Sequence, residues 1–199
     1  INVRPAHMSF CRVRSEANCA FAPQPRGLPV DDAAWDMNKA GLGLLETDGD
    51  EQYEVSAFAR SGMQSRHNMN YWRYGDFLAV GAGAHGKITL PADGVVQRYA
   101  KQRHPKRYLQ GSEDGGWLAE KRILTDDERG FEFFLNQLRL KQGVYIDDFI
   151  PRTGLLWEKA ESRVHLAIDK GFLELVNKRL RPTSLGWTFL NDVQQMFLP

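Results

Sequence analysis

Cysteine is nearly absent: two in 199 residues, Cys11 and Cys19. Two cannot build a disulfide framework, and their scarcity fits a reducing compartment. Their spacing matches neither a zinc knuckle nor the triplet that holds an iron–sulfur cluster, so they read as small apolar residues. An excess of one charge is also lacking. The sequence has 26 Lys and Arg against 25 Asp and Glu, a net charge of +1. That excludes a protein that coats nucleic acid by charge alone. No apolar run approaches the roughly 20 residues a membrane span needs. The start, Ile1-Asn2-Val3-Arg4-Pro5, lacks the basic flank and apolar stretch of a signal peptide. No nucleophile elbow, P-loop or H-E-x-x-H is present. Glu16 and Glu54 have no paired acid, and His7, His104 and His165 have no companion at ligand spacing, which makes them structural or exposed.

What is present is ordinary globular usage, 42% hydrophobic and 26% charged. A chain of this length allows one or two domains and can bury about 70% of its unfolded surface. It opens on Ile1 and enters a strand-like run, His7 to Val13, almost at once. We therefore expect the later part of a longer protein, with unpaired strand edges in its first region.

Two regions are expected, 1–110 and 111–199. The first alternates strand-like and helix-like patterns, which argues for βαβ units. The prolines and glycine from Pro23 to Pro29 predict a loop, with Asp31 or Asp32 as the cap of a helix striped by Met37, Ala40, Gly41 and Leu44 and ended by Asp48-Gly49. Tyr53 to Phe58 reads as a strand. Phe77 to Val80, apolar on both sides, reads as a buried parallel strand. Arg98 to Arg107 holds five Lys and Arg, one His and no acid; it reads as a solvated linker, with phosphate or propionate contact as the sharper alternative.

The second region is plainer. Thr125 and Glu128 form a capping box ahead of the stripe Phe131, Phe134, Leu135, Leu138. A second helix is expected over Glu158–Lys170, with Ala160, Val164, Ala167 and Ile168 inward and Gly171 at its end. Phe172 to Arg181 reads as a hairpin turning at Asn177-Lys178. After Pro182, Thr183 or Ser184 caps a last helix carrying Phe189, Leu190, Val193 and Phe197. Helices, a hairpin and a helix make a winged-helix-like order. The Glu158–Lys170 helix carries three cations against three anions, so a nucleic-acid partner is not expected.

Two motifs carry chemistry. Gly81-Ala82-Gly83-Ala84-His85-Gly86 matches G-x-G-x-x-G, but the extended Lys87 to Pro91 follows it, and the zone about 20 residues on is basic rather than acidic. A tight turn, or close approach of backbone to a cofactor, fits better. Arg66-His67-Asn68-Met69-Asn70-Tyr71-Trp72-Arg73 is the densest polar and aromatic cluster. Imidazole can ligate haem iron, Tyr71 and Trp72 offer flat faces, Arg66 and Arg73 can pair with propionates, and amides such as Asn68 and Asn70 can orient a ring. The plain alternative is a loop stitched by hydrogen bonds, with Trp72 in the core.

The order of these pieces resembles one family. His7-Met8-Ser9, Gln52 to Ala59, His67-Asn68-Met69-Asn70-Tyr71-Trp72, Gly75-Asp76-Phe77 and Gly81 to Lys87 fit it, as do Glu132 to Asn136 with Arg139-Leu140, Arg152 to Leu155, and Leu185-Gly186 with Phe189 to Asp192. They resemble the C-terminal part of HemW-type haem chaperones, relatives of the oxygen-independent coproporphyrinogen III oxidases in the radical SAM superfamily. The resemblance implies an α/β fold: the C-terminal remnant of a radical SAM partial (β/α) barrel over 1–110, then a helical, winged-helix-like domain over 111–199. It implies haem as cargo, handed to haem-requiring proteins such as respiratory enzymes, in the cytoplasm, with self-association into a homodimer allowed. His67 would be the axial ligand, with Asn68, Asn70, Tyr71, Trp72 and Arg73 around the ring. Arg14, Gly83, Ala84 and His85 would line an S-adenosylmethionine pocket. The four-iron four-sulfur cluster would belong to the full-length protein, since this chain lacks its cysteines. The readings set against this one are a true porphyrinogen oxidase and a winged-helix interaction or DNA-binding module.

Overall fold

The computed structural model describes residues 5–10, 27 and 29–199, with the backbone alone at 112–114. The chain divides into two compact units, Ile1–Ser65 and Arg66–Pro199. In the first, β1 (His7–Ser9), β3 (Ala57–Ala59) and β2 (Glu51–Glu54) form an antiparallel sheet in the order β1-β3-β2. The strand expected over Tyr53–Phe58 is two strands. Val55-Ser56 reverses the chain, with the Ser56 hydroxyl donating to Glu54 Oε1 at 3.1 Å and the Gln52 amide to the Val55 carbonyl at 3.1 Å. His7 is structural, as expected: its Nε2 lies 2.9 Å from the Tyr53 hydroxyl. The rest of the predicted first strand, with Cys11, Arg14, Glu16, Cys19 and most of the Pro23–Pro29 loop, lies outside the described residues.

The first helix, α1 (Asp31–Thr47), ends at Asp48 and a left-handed Gly49 as the sequence predicts. Its N-cap is Val30, without a side-chain cap, so Asp31 and Asp32 serve in the first turn, where their charge suits the positive helix end. The Met37–Leu44 stripe is not covered among the described residues: Met37 is 65% and Leu44 74% exposed.

The second unit opens with α2 (Arg66–Trp72). Strands β4 (His85–Leu90), β5 (Val95–Lys101) and β6 (Leu118–Ile123) follow as an antiparallel sheet in that order, with α3 (Pro105–Asp114) between β5 and β6. The predicted strand Phe77–Val80 is absent. Phe77 makes a single bridge to Lys87, while Leu78 and Val80 are exposed. Apolar composition predicts burial on both sides; beside the glycine turn Ala79 is buried and Phe77 half-buried, but the other two side chains face solvent. Arg98–Arg107 is not a linker: its first part is β5, and Pro105 starts α3. All strand pairings among the described residues are antiparallel, so the parallel βαβ order is not found there.

From residue 124 onward the pattern agrees closely with expectation. α4 (Asp126–Gln137) carries the Thr125–Glu128 capping box. Phe133 and Phe134 enter a core with α5 (Phe149–Thr153), α6 (Glu158–Asp169) and Phe197; the Phe134 and Phe197 rings stack at 4.1 Å. Gly171 is left-handed after α6. β7 (Val144–Tyr145), β9 (Arg179–Pro182) and β8 (Leu173–Val176) make the third sheet. Its β8–β9 turn, Asn177-Lys178, has positive φ at both residues, the geometry that fits the twist of a hairpin. Thr183 caps the next helix, but the single last helix is two, α7 (Ser184–Thr188) and α8 (Leu190–Gln195). The break at Phe189 leaves that ring exposed and turns Leu190 and Val193 into the core. No helix among the described residues is long and apolar enough to cross a membrane.

Candidate functional site

The cluster from Arg66 to Trp72 folds as a short helix rather than a loop, and helical spacing sorts its side chains. His67 and Tyr71, four apart, share a face. Their rings meet edge-on with centroids 4.8 Å apart, and Tyr71 leans on Phe77 at 4.3 Å. The Arg98 guanidinium lies 5.5 Å from the Phe77 centroid. His67 is exposed and has no hydrogen bond among the described residues. Trp72 points elsewhere. It is half-buried under the Arg139 guanidinium at 4.2 Å, and its buried Nε1 has no hydrogen-bond partner among the described residues. Asn70 ties the helix to the next segment: its amide donates to the Asp76 carbonyl at 2.9 Å, and its carbonyl accepts from Gly75 N at 2.8 Å. A Cβ at Gly75 would collide with the Asn70 side chain. Asn68 is half-buried with interactions of its own, and Arg66 and Arg73 are exposed at the two ends of the helix.

The glycine motif is a turn leading into β4. Gly81 and Gly83 have φ of 101° and 72°, a backbone that side chains rarely adopt. Two phenols hold it: Ala79 N donates to the Tyr99 hydroxyl at 2.9 Å and Gly81 N to the Tyr108 hydroxyl at 3.2 Å. Gly83 N donates to the Gln102 carbonyl, and the Ala84 carbonyl accepts from Lys101 N. Entry into a strand rather than a helix excludes the dinucleotide reading. His85 is exposed and lines two clefts of about 390 and 410 Å³, neither of which is lined by any residue of Arg66–Arg73. The structure thus brings His67 and Tyr71 together. It gives Asn70 a structural task, turns Trp72 inward, and sets Gly83, Ala84 and His85 on a separate wall.

Beside these lies a buried polar network that the sequence did not reveal. Lys87, 1% exposed, donates to the Tyr74 carbonyl, Asp76 Oδ1 and Thr89 Oγ1 at 3.0, 2.9 and 3.2 Å. Its ammonium also sits 3.9 Å from the Tyr74 ring centroid. The Tyr74 hydroxyl donates to Glu132, which accepts a forked pair of bonds from Arg98. Burial, with the Glu132 charge, drives the Tyr74 phenol far up and keeps it protonated. Burial raises the Asp76 carboxyl, but hydrogen bonds from the Thr89 amide, Lys87 and the Thr89 hydroxyl outweigh it and leave the pKa below its usual value. For Lys87 burial outweighs the Asp76 charge, and its pKa falls. From the sequence Lys87 reads only as the start of an extended run, with no sign that it is buried. Among the described residues no group of three His, Cys, Asp or Glu is placed to hold a metal ion.

Residues 124–189 match the HemN C-terminal domain. Over its whole length the chain is 40% identical to the heme chaperone HemW of Haemophilus influenzae and 39% identical to that of Escherichia coli. The chain spans about half the length of the curated relatives it matches, 50% and 51% of those two proteins. It is 35% identical, over 97% of its length and 46% of the relative's, to the mitochondrial radical S-adenosyl methionine domain-containing protein 1 of Mus musculus. In fold it is similar to coproporphyrinogen III oxidase (HemN) of Escherichia coli, a radical SAM enzyme, with a TM-score of 0.70 at 16% identity, covering 98% of this chain and 48% of that one. The fold class read from the sequence therefore holds: α/β, the C-terminal remnant of a radical SAM fold with a helical, winged-helix-like domain.

Proposed function

We propose that this HemW-type chain binds haem and that the protein containing it delivers haem to haem-requiring proteins in the cytoplasm. The observation that carries the reading is His67. It is an exposed imidazole without a hydrogen bond among the described residues, braced by Tyr71 and Phe77, with Arg66 and Arg73 at either end of its helix. Those residue types fit the cargo: an imidazole for iron, flat rings for the macrocycle and guanidinium groups for propionates. In this reading Tyr71 and Arg73 flank the haem directly, while Asn68, Asn70 and Trp72 shape the helix that presents His67. The Gly83-Ala84-His85 wall faces S-adenosylmethionine in the full-length protein, whose other part carries the iron–sulfur cluster; Arg14, expected beside it, lies outside the described residues. The backbone of Gly83 and Ala84 is already engaged, so the His85 imidazole is the group left to offer. The division at 110/111 stands as a proposal, with the C-terminal domain as a docking platform for the recipient or a second copy. Likeness to an oxidase in fold does not carry its activity.

Titrating haem into the full chain and into His67→Ala tests the ligand. The expected result is a shifted Soret band for the parent chain, and for the variant a lost shift with roughly tenfold or weaker binding. Identical spectra and affinities would remove His67 from the iron.

A further inference from the structure

The basic run Arg98–Arg107 borders the cleft of about 410 Å³ where β4, β5 and β6 meet the start of α3. Lys101, Arg103, His104 and Arg107 line it, with His85 and the carboxylate of Glu120, the one acid among its described lining residues, beside them. Among the described residues, two independent features of this cleft lack a counter-charge. Lys101 is 7% exposed, yet among the described residues it makes no hydrogen bond through its side chain and no ion pair. Its ammonium lies 2.8 Å from the Trp117 ring centroid and 5.3 Å from that of Tyr99. Aromatic faces offset only part of the cost of taking a cation out of water. The second feature is the start of α3. Pro105 opens it, His104 at the N-cap provides no side-chain cap, and the first turn holds Lys106 and Arg107 with no acid. A positive helix end favours anions, so cations gathered there are destabilising unless an anion joins them. Glu120 does not serve both features, because it pairs with Arg122 at 3.6 Å.

We propose that this cleft binds a small molecule through an oxyanion group, phosphate or carboxylate, bearing at least two negative charges and held by Lys101, Arg103 and Arg107. The Arg forks suit either oxyanion. The site is separate from the His67 surface and does not depend on haem binding. Calorimetric titration of the full chain at low ionic strength with inorganic pyrophosphate, and separately with succinate, tests it. Saturable binding is expected for at least one: pyrophosphate alone assigns a phosphate ligand, succinate alone a carboxylate ligand. Arg103→Gln with Arg107→Gln, both at exposed positions, should weaken binding roughly tenfold or more, as should Lys101→Met. The arginine double variant decides the matter if Lys101→Met does not fold. No saturation with either probe, or unchanged affinity in the double variant, would overturn the proposal.

Discussion

Lys87 and Asp76 form a pair of unequal burial, the lysine 1% and the carboxylate 41% exposed. Asp76 also accepts from the Thr89 amide and hydroxyl at 2.9 and 2.8 Å, so it joins the segment after α2 to β4. Removing the carboxylate strands a buried ammonium, whereas removing the ammonium leaves a carboxylate that water can reach. Asp76→Asn should therefore cost about 2 kcal/mol, below the full cost of breaking a buried pair because Asp76 is partly solvated, and Lys87→Met about 1 kcal/mol. Urea unfolding of both variants checks this; the reverse order would show that the ammonium contributes mainly by packing. The pH dependence has a definite sign. Asp76 is more acidic when folded, so its contribution is complete above the ordinary carboxylate pKa of about 3.9 and fades as pH falls through its folded value. The gap between parent and Asp76→Asn should narrow in acid. Lys87, with its folded pKa lowered, opposes folding at neutral pH, a cost that lifts as pH rises through that value.

At the scale of elements, the C-terminal part depends on close backbone approach. The α7 start rests on the carbonyl of Phe172, and a Cβ at Gly186 would collide with it while Gly186 N donates to Thr183 Oγ1 at 3.0 Å. Gly186→Ala should lower stability by about 1–3 kcal/mol, as overpacking does; an unchanged urea midpoint would mean that α7 shifts freely. Such elements were legible where the signal is local: the Thr125–Glu128 box, Gly171, and the Asn177-Lys178 turn each act within a few residues. Tertiary decisions were not. The strand-like run from Tyr53 to Phe58 passes through the Val55-Ser56 turn and hides two strands as one. In Phe77–Val80 only Leu78 and Val80 face solvent, and no strand forms, because the phenols of Tyr99 and Tyr108 fix the turn from elsewhere in the chain. In the candidate site, the density of His, Asn, Tyr and Trp was visible, but only a helix pairs His67 with Tyr71 and sends Trp72 to Arg139. The clefts at His85 were invisible because three strands and a helix build them.

At the scale of the molecule, three open antiparallel sheets leave strand edges, as expected of a chain with the fold of half a larger enzyme. The aromatic core around Phe133, Phe134, Phe149 and Phe197 supplies a rigid body, while Leu78 and Val80 sit exposed beside the glycine turn. The most direct measurement is amide hydrogen exchange of the full chain with and without one equivalent of haem. Haem carried on the His67 surface predicts slowed exchange centred on residues 66–87, with the amides of α6 unchanged. Protection centred on α4 to α8 with 66–87 unchanged, or no protection anywhere, would contradict it.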